Sequence, residues 1–528
     1  WGAPGFLGSF FSTATVTYLM NWLNCAASNG LTIDYLGGWN ERGYDKTFYE
    51  NLHAAIASHG YATKVVAADS DWGVADAMVA DPTFAASVDI VGTHYPCTYL
   101  SAMTTCSSTA NAVATGKQLW ASENGSEDYN AGGAAVARAI NRGYLDAKMS
   151  SYVNWPLVAS IYPNLPFATT ALMVADQPWS GWFDVGKQLW ATAHTTQVTQ
   201  PGWRYVDSAS GYFGGDRNNG SYVSYQPADH SAYSMVAETL DATAARTINV
   251  SVVGGLPPNA TVHVFASNFT SNDPGSYFVR QPDITPAGGT WTATLQPGRV
   301  YSFTTTTGAG RGTQASPPPA PLALPYSDNF DGGTLGREPT FLAQQQGAFE
   351  TSACGGGRAG RCVRQQAPVT PIEWDSNANP YTLLGDLGWR DYAVTVDALF
   401  EQAGAVQVMG RVGTQHGFSV AGINAYYLQV ANTGAWSIVR NNTSATLTTL
   451  ASGTHAAFSL NTWHTLSVSF QGSTITARID GATAGTATDT TYPAGQIGLG
   501  VNGYRTEQFD NLSVTPIGTP PTVNAYEI

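Results

Sequence analysis

The sequence of 528 residues predicts a multidomain α/β plus all-β protein. Helix and strand patterns alternate over residues 1–195, apolar residues recur with a period of two from Trp203 onwards, and a Pro-rich stretch divides the β-rich part. The composition agrees with this fold class, because 12% of residues are aromatic and only 11% are charged. The net charge of −14 disfavours a nucleic-acid partner, and no apolar run approaches the length of a transmembrane segment.

Residues 1–195 are expected to form parallel βα units. Helical periodicity covers 13–28, 47–59, 75–86 and 132–148, and strand patterns cover 31–39, 64–69, 88–95, 118–123 and 151–159. Strands separated by crossovers are typical of a parallel sheet, and the lack of a Gly-rich turn after any strand disfavours a doubly wound one. A (β/α)8 TIM barrel has eight strands in about 250 residues. We therefore expect an N-terminally incomplete barrel whose first three units lie outside this sequence.

The rest of the chain is predicted to be two β domains and two linkers. Residues 196–307 are expected to form a β-sandwich, because short alternating strands lie between Gly, Pro and Asn turns. The Pro-rich segment 308–325 is an expected extended linker. Strand patterns over 326–516 predict a lectin-like jelly-roll sandwich, and 517–528 is a tail or linker.

Five cysteines indicate an exported protein. The close pairs Cys97/Cys106 and Cys354/Cys362 lie among Gly, Ser and Thr residues and predict two local disulfides. Cys25 is left over, either as a buried free thiol or as a residue whose partner lies upstream. Because the chain begins at Trp1 with neither Met nor a signal peptide, we expect a secreted protein from which an upstream segment is missing.

Two glutamates close predicted strands in similar settings. Glu41 follows Gly38-Trp39-Asn40, and Glu123 follows Trp120-Ala121-Ser122. Strand C-termini carry the chemistry of a (β/α)8 barrel, and glycoside hydrolysis needs two carboxylates that flank the scissile bond. The pair therefore predicts a glycosidase site, against the alternative that each Glu only solvates a strand end.

Other polar residues at strand ends carry weaker signals. His94 ends a predicted strand and either places a substrate hydroxyl or Glu123, or satisfies loop carbonyls. Asp69 and Asp71 close another strand and are interpreted as structural, because no second carboxylate is paired with them. No Gly-x-Ser-x-Gly turn exists, which disfavours an esterase.

The chain closely resembles the galactosylceramidases, glycoside hydrolase family fifty-nine. The resemblance is carried by IDYLGGWNER (33–42), VDIVGTHYPCTY (88–99), KQLWASEN (117–124), NWPLVASIYPNLP (154–166), QPWSGWF (177–183) and AHTTQVTQPGWRY (193–205). It implies a retaining β-galactosidase that acts on galactosyl lipids without a catalytic cofactor. The low count of five lysines suggests a bacterial member of this family.

The resemblance also implies site residues. Glu41 is the expected general acid/base, Glu123 the nucleophile, and Asn40 a hydrogen-bonding partner beside the acid/base. The expected substrate-binding residues further include His94 and five others: Trp1, Ser126, Trp155, Phe167 and Arg246. Asn124 stands where the family has Asp, which leaves the aglycone open.

The resemblance further implies a structural Ca²⁺ in the last domain, held by Asn329, Asp331 and Asp510, with turn capping by these residues as the alternative.

The role of a lipid-presenting partner is left open. Two other functions stay open as well. One is a retaining glycosidase of the same clan that cleaves another β-glycoside, and the other is a non-catalytic carbohydrate-binding protein.

Overall fold

The computed structural model describes residues 9–165, 167–370, 378–415 and 421–518. Trp1, an expected pocket residue, lies outside these ranges. Among the described residues no helix is both long and apolar enough to cross a membrane.

The first part of the chain is a parallel sheet flanked by helices. Its five strands pair in sequential order. The strands are β1 (Tyr35–Gly37), β2 (Lys64–Ser70), β3 (Ile90–His94), β4 (Gln118–Asn124) and β5 (Met149–Asn154). The helices are α1 (Thr13–Ser28), α2 (Lys46–Ser58), α3 (Gly73–Ala80), α4 (Pro82–Ala86), α5 (Ala110–Ala114), α6 (Gly133–Ala147) and α7 (Lys187–Thr196). Because neighbouring strands are parallel, their carboxyl ends meet at one edge of the sheet.

Local sequence explains where these helices begin and end. The Ser12 side chain accepts from the Thr15 N–H at the start of α1, and Asp45 accepts from Phe48 at the start of α2. The helix expected over 75–86 is two helices, because Pro82 has no N–H to continue the first one. Asp81 takes an extended conformation there and caps α4 instead.

The two β-rich parts differ in their sheets. The first begins with the hairpin β6 (Met173–Gln177) and β7 (Trp182–Val185), and α7 then leads into a seven-stranded sheet and a separate two-stranded one. The strands of these two sheets are β8 (Arg204–Tyr205), β9 (Gly211–Tyr212), β10 (Ser221–Gln226), β11 (Ser234–Glu238), β12 (Arg246–Ser251), β13 (Val262–Asn268), β14 (Val279–Ile284), β15 (Thr290–Leu295) and β16 (Arg299–Thr304). Strands β12 and β15 form the two-stranded sheet.

The last part is a sandwich of an eight-stranded and a seven-stranded sheet. Its strands are β17 (Tyr326–Asp328), β18 (Ala343–Gln346), β19 (Phe349–Ala353), β20 (Arg361–Gln365), β21 (Tyr381–Leu384), β22 (Tyr392–Leu399), β23 (Ala405–Val412), β24 (Ala425–Ala431), β25 (Ala435–Asn441), β26 (Thr448–Thr454), β27 (Trp463–Gln471), β28 (Thr474–Ile479), β29 (Ala482–Thr488), β30 (Gln496–Asn502) and β31 (Gln508–Pro516). Alternate residues of facing strands, such as Val394 and Val396 on β22 and Val406 and Val408 on β23, fill the core between the sheets.

The Pro-rich segment 308–325 lies against the β6–β7 hairpin. The Trp179 indole donates to the Ala320 carbonyl at 2.6 Å, and the Phe183 N–H donates to the Ser316 hydroxyl at 2.9 Å. Leu322 is buried in the core of the last sandwich. The expected extended segment is therefore fixed along the parts that it joins.

Both expected disulfides, Cys97–Cys106 and Cys354–Cys362, are confirmed. Cys25 is exposed on α1, so its interpretation as a buried thiol is wrong. Helix α1 buries Val16, Met20 and Leu23 on its inner face, and Cys25 lies on the opposite, solvent-facing side.

Candidate active site

Glu41 and Glu123 lie at the carboxyl edge of the parallel sheet. Glu123 is the penultimate residue of β4, and Glu41 lies four residues beyond the end of β1. Glu41 has a left-handed backbone with φ of 53°, and its N–H donates to the Asp69 carbonyl at 2.9 Å. This bond ties the loop after β1 to the end of β2 and fixes the direction of the Glu41 side chain.

Two neutral donors hold one oxygen of Glu123. The Tyr95 hydroxyl donates to Oε1 at 2.5 Å, and the Trp155 indole donates to the same oxygen at 3.0 Å. Burial raises the pKa of the Tyr95 hydroxyl, and the hydrogen bond to Glu123 raises it further, because the ionised phenol would face a carboxylate. Oε1 is therefore fully engaged, and Oε2 is the less encumbered oxygen.

His94 lies between the two carboxylates. Its Nδ1 is 2.8 Å from Glu41 Oε1 and 3.6 Å from Glu123 Oε2. One oxygen of each carboxylate and one ring nitrogen of His94 all lie within 4.8 Å of one another. The His94 side chain is only 5% exposed, so the short contact to Glu41 is shielded from water.

Asp69 is a third carboxyl group at this edge. Strand β2 has a register irregularity between Ala68 and Ser70, and Asp69 has φ of 51° there. A Cβ at Gly37 or Gly92 would come within 2.6 Å or 2.9 Å of its carboxyl oxygens, so both glycines leave room for it. Burial is the largest cause that raises the pKa of Asp69, and the Glu123 charge adds to it.

The sequence interpretation of Asp69 as structural rested on the absence of a second carboxylate, and this premise is wrong, because the Glu123 charge acts on the Asp69 carboxyl group. A bulge redirects a side chain without leaving a periodic signature, which is why the pattern missed it. The available signal was a strand-ending Asp between two strands that each carry a Gly, at Gly37 and Gly92.

Aromatic rings surround Glu123. The centroid of Trp155 lies 5.6 Å from Phe167 and 5.9 Å from Tyr99, and Tyr95 lies 4.8 Å from Tyr99. The structure thus brings the expected residues Trp155 and Phe167 together. Sequence analysis did not single out Tyr95 or Tyr99, although both lie in the VDIVGTHYPCTY segment.

Three other expected residues have different surroundings. Asn40 is exposed directly before Glu41. Ser126 is buried, and its hydroxyl donates to the Gly132 carbonyl at 3.2 Å within the loop after β4. The Arg246 guanidinium donates to the Asn219 side chain in the sandwich. Their roles toward a substrate stay predictions.

Comparison with known proteins identifies the family. The chain matches the family described as "Glycosyl hydrolase family 59" over residues 1–197 and the one described as "Galactocerebrosidase, C-terminal lectin domain" over residues 344–517. It is 30% identical to a galactocerebrosidase of Danio rerio over 97% of this chain and 80% of that protein. The chain belongs to glycosyl hydrolase family 59. This confirms the predicted family, and the chain is a glycoside hydrolase.

Two mammalian galactocerebrosidases are similar to this chain at nearly the same sequence identity. The galactocerebrosidases of Mus musculus and Homo sapiens are 29% and 28% identical, each over 97% of this chain and 78% of the relative. Among solved structures, a GH30 endoxylanase from Clostridium papyrosolvens aligns with a TM-score of 0.43 at 17% identity, covering 55% of this chain and 70% of the endoxylanase.

In this family 59 chain the residues expected to bind Ca²⁺ have other partners. Asp510 Oδ2 lies 2.6 Å from an Arg358 nitrogen, and the Asn329 amide donates to Asp331 at 3.0 Å. Asp331 also accepts from the Arg361 N–H at 2.8 Å. In this arrangement a guanidinium pairs with one oxygen of Asp510, and a calcium site at these residues stays a prediction.

Proposed function

We propose that this chain hydrolyses terminal β-galactosyl residues of galactolipids with retention of configuration. The observation that carries the proposal is the cluster of Glu41, His94 and Glu123, in which one atom of each lies within 4.8 Å of the others. Retaining enzymes hold their two carboxyl groups about 5–5.5 Å apart, whereas inverting enzymes keep them about 6.5–9.5 Å apart to admit a water. The short separation favours the two-step mechanism.

Glu123 is the proposed nucleophile. Its Oε1 already accepts two hydrogen bonds, from Tyr95 and Trp155, which leaves Oε2 to attack the anomeric carbon. These donors fix the carboxylate plane before the substrate arrives, so little reorganisation is needed in the reaction. Attack breaks the glycosidic bond and forms a galactosyl ester on Glu123.

Glu41 is the proposed acid/base. It gives its proton to the leaving oxygen in the first step and removes a proton from water in the second, when that water cleaves the ester. His94 Nδ1, at 2.8 Å from Glu41 Oε1, shares a hydrogen bond with this carboxyl group and orients it. Asn40, exposed beside Glu41, is the proposed partner of a sugar hydroxyl.

Azide separates the two roles. In Glu41→Gly, azide replaces water at the galactosyl ester and gives β-galactosyl azide. In Glu123→Gly, azide takes the place of the nucleophile and gives the α anomer. NMR of the products identifies the anomers, and p-nitrophenyl β-galactoside is the substrate.

Without azide we expect Glu41→Gln to lose about 10²–10⁴-fold in kcat/KM and Glu123→Gln to lose more. Glu127→Gln, an exposed glutamate in the loop after β4, is the matched control and should keep its activity. Exchanged azide anomers, or an active Glu123→Gln, would reject these roles.

The preference for galactose and a lipid aglycone is proposed from the names of the relatives. A panel of nitrophenyl β-glycosides tests the sugar preference. Turnover of another glycoside in preference to the galactoside would favour the alternative of a same-clan glycosidase that cleaves another β-glycoside. Sugar binding that persists without turnover in the unmodified protein would favour the carbohydrate-binding alternative.

Export is also proposed, since two disulfides suit an oxidising compartment. A lipid-presenting partner is compatible with the proposed lipid substrate. Comparing turnover of detergent-dispersed galactosylceramide with turnover of the soluble galactoside shows how far the enzyme depends on such presentation.

A further inference from the structure

Tyr99 presents an aromatic ring at the rim of the candidate active site. Its side chain is 41% exposed, although its ring centroid lies 4.8 Å from Tyr95 and 5.9 Å from Trp155. These are the two residues that donate to Glu123. Partial burial and the charges of Glu123 and Glu41 raise the pKa of the Tyr99 hydroxyl, which is consistent with a position near both carboxylates.

The backbone that carries Tyr99 is closed into a loop. The Cys97–Cys106 disulfide joins its ends, and the Ser107 N–H donates to the Pro96 carbonyl at 3.0 Å. The Thr98 N–H donates to the Tyr95 carbonyl at 2.9 Å and closes a turn directly before Tyr99. The ring is therefore held close to Tyr95 by local bonds.

Two arginines of α6 hold the far side of the same loop. Arg142 donates to the Thr104 carbonyl at 2.7 Å, and Arg138 donates to the Ala102 carbonyl at 2.9 Å. The Arg142 side chain is fully buried and pairs with the equally buried Glu238 of β11 at 2.9 Å. Because the loop is anchored to the β-sandwich, contact with Tyr99 needs little further ordering of the protein.

We propose that Tyr99 binds the leaving group of the substrate by packing its ring against the first apolar atoms beyond the glycosidic oxygen. This role rests on the glycosidase function proposed above. The reacting sugar must meet Glu123 Oε2 and Glu41, whereas Tyr95 and Trp155 donate to Glu123 Oε1. Tyr99 packs against both of these rings and is more exposed than either, so its ring is placed to meet what is attached to the sugar. An aromatic face suits an alkyl or aryl aglycone.

Substrates that differ only in the leaving group test this role. The series is β-galactosyl fluoride, p-nitrophenyl β-galactoside and galactosylceramide dispersed in detergent. Tyr99→Ala should lower kcat/KM for the last two about 5- to 20-fold and leave the fluoride within about twofold, because a single fluorine atom does not reach the ring. Tyr99→Phe should match the unmodified protein on all three, since the contact uses the ring.

Two further variants keep the test decisive. Thr105→Ala changes an exposed residue of the same loop and should alter none of the three rates. Tyr99→Leu keeps an apolar side chain without a ring, should show a smaller loss with the same selectivity, and replaces the alanine variant if that one fails to fold.

Three results would overturn the proposal. An equal loss on all three substrates would place Tyr99 at the sugar or the carboxylates, and no loss on any would remove it from the substrate. Absence of galactoside hydrolysis by the unmodified protein would instead refute the proposed function itself, and this role with it.

Discussion

Asp69 brings a third carboxyl group to the strand ends that carry Glu41 and Glu123. Burial and the Glu123 charge disfavour its ionised form, whereas a hydrogen bond from Ser122 and the nearby His94 favour it. The backbone carbonyl of the same residue holds the Glu41 N–H. Asp69 is thus a positioning residue through its backbone and an electrostatic neighbour of Glu123 through its side chain.

Replacing Asp69 by Asn separates these two contributions, because only the charge is removed. Because the pKa of Asp69 is raised, this residue gains its negative charge only above the usual carboxyl range, next to the Glu123 carboxylate. Asp69→Asn cannot gain this charge, so the change of kcat/KM with pH that follows from it should be absent. The pH profile of Asp69→Asn with p-nitrophenyl β-galactoside checks this, with Asp71→Asn as the matched control. An unchanged profile in an active Asp69→Asn enzyme would contradict the expected coupling.

At the scale of elements, helix α7 contains the start of the AHTTQVTQPGWRY segment and packs against the β-sandwich. His94 lies in the candidate active site, whereas His194 of α7 is fully buried against the β-sandwich. Its Nδ1 and Nε2 lie 2.7 Å and 2.8 Å from the hydroxyls of Ser302 on β16 and Ser267 on β13. The segment therefore joins the parallel sheet region to the β-sandwich.

This buried histidine should limit stability in acid. Burial lowers the pKa of His194 from 6.5 to about 3, so the unfolded chain takes up a proton that the folded one refuses. The contribution is fully present above pH 6.5 and is lost as the pH falls toward 3, at up to about 1.4 kcal/mol per pH unit. Melting midpoints between pH 7 and pH 4 should therefore fall less steeply in His194→Gln. His59→Gln, on the exposed end of α2, should keep the slope of the unmodified protein. Equal slopes in all three proteins would show that His194 is not the group responsible.

The sequence could predict elements that a single periodicity defines. Helix α1 has the predicted bounds, and each strand of the parallel sheet overlaps a predicted segment, with ends that differ by at most five residues. Each of these elements combines an apolar run with a clear stop. The hairpin β6–β7 and helix α7 escaped prediction, since their burial depends on the Pro-rich segment and the sandwich packing against them. The carboxylates at strand ends were predictable in the same way, whereas Asp69 and Tyr99 depend on a bulge and a disulfide-closed loop.

At the scale of the whole molecule, the segment after β5 connects the candidate active site to the last sandwich. The buried Tyr162 hydroxyl donates to the Phe341 carbonyl at 2.6 Å, and the Asn164 amide donates to the Gly413 carbonyl at 2.9 Å and to Gln496 at 2.8 Å. The same segment begins after Trp155 and leads to Phe167, which pack on each other beside Glu123. One stretch of chain therefore both contacts the last sandwich and supplies aromatic side chains beside Glu123.

Cutting this connection should loosen the docking without unfolding either part. Asn164→Ala leaves the Gly413 carbonyl and the Gln496 side chain without their donor, which costs about 1–3 kcal/mol for a buried group. Because the cost falls on the contact between the parts, calorimetry should show the melting of the last sandwich separating from that of the rest. The activity should fall through KM more than through kcat, since Phe167 stays next to Trp155 but loses its support. Asn218→Ala, an exposed asparagine of the β-sandwich, is the matched control. A single unshifted transition in Asn164→Ala would show that the two parts hold together by other contacts.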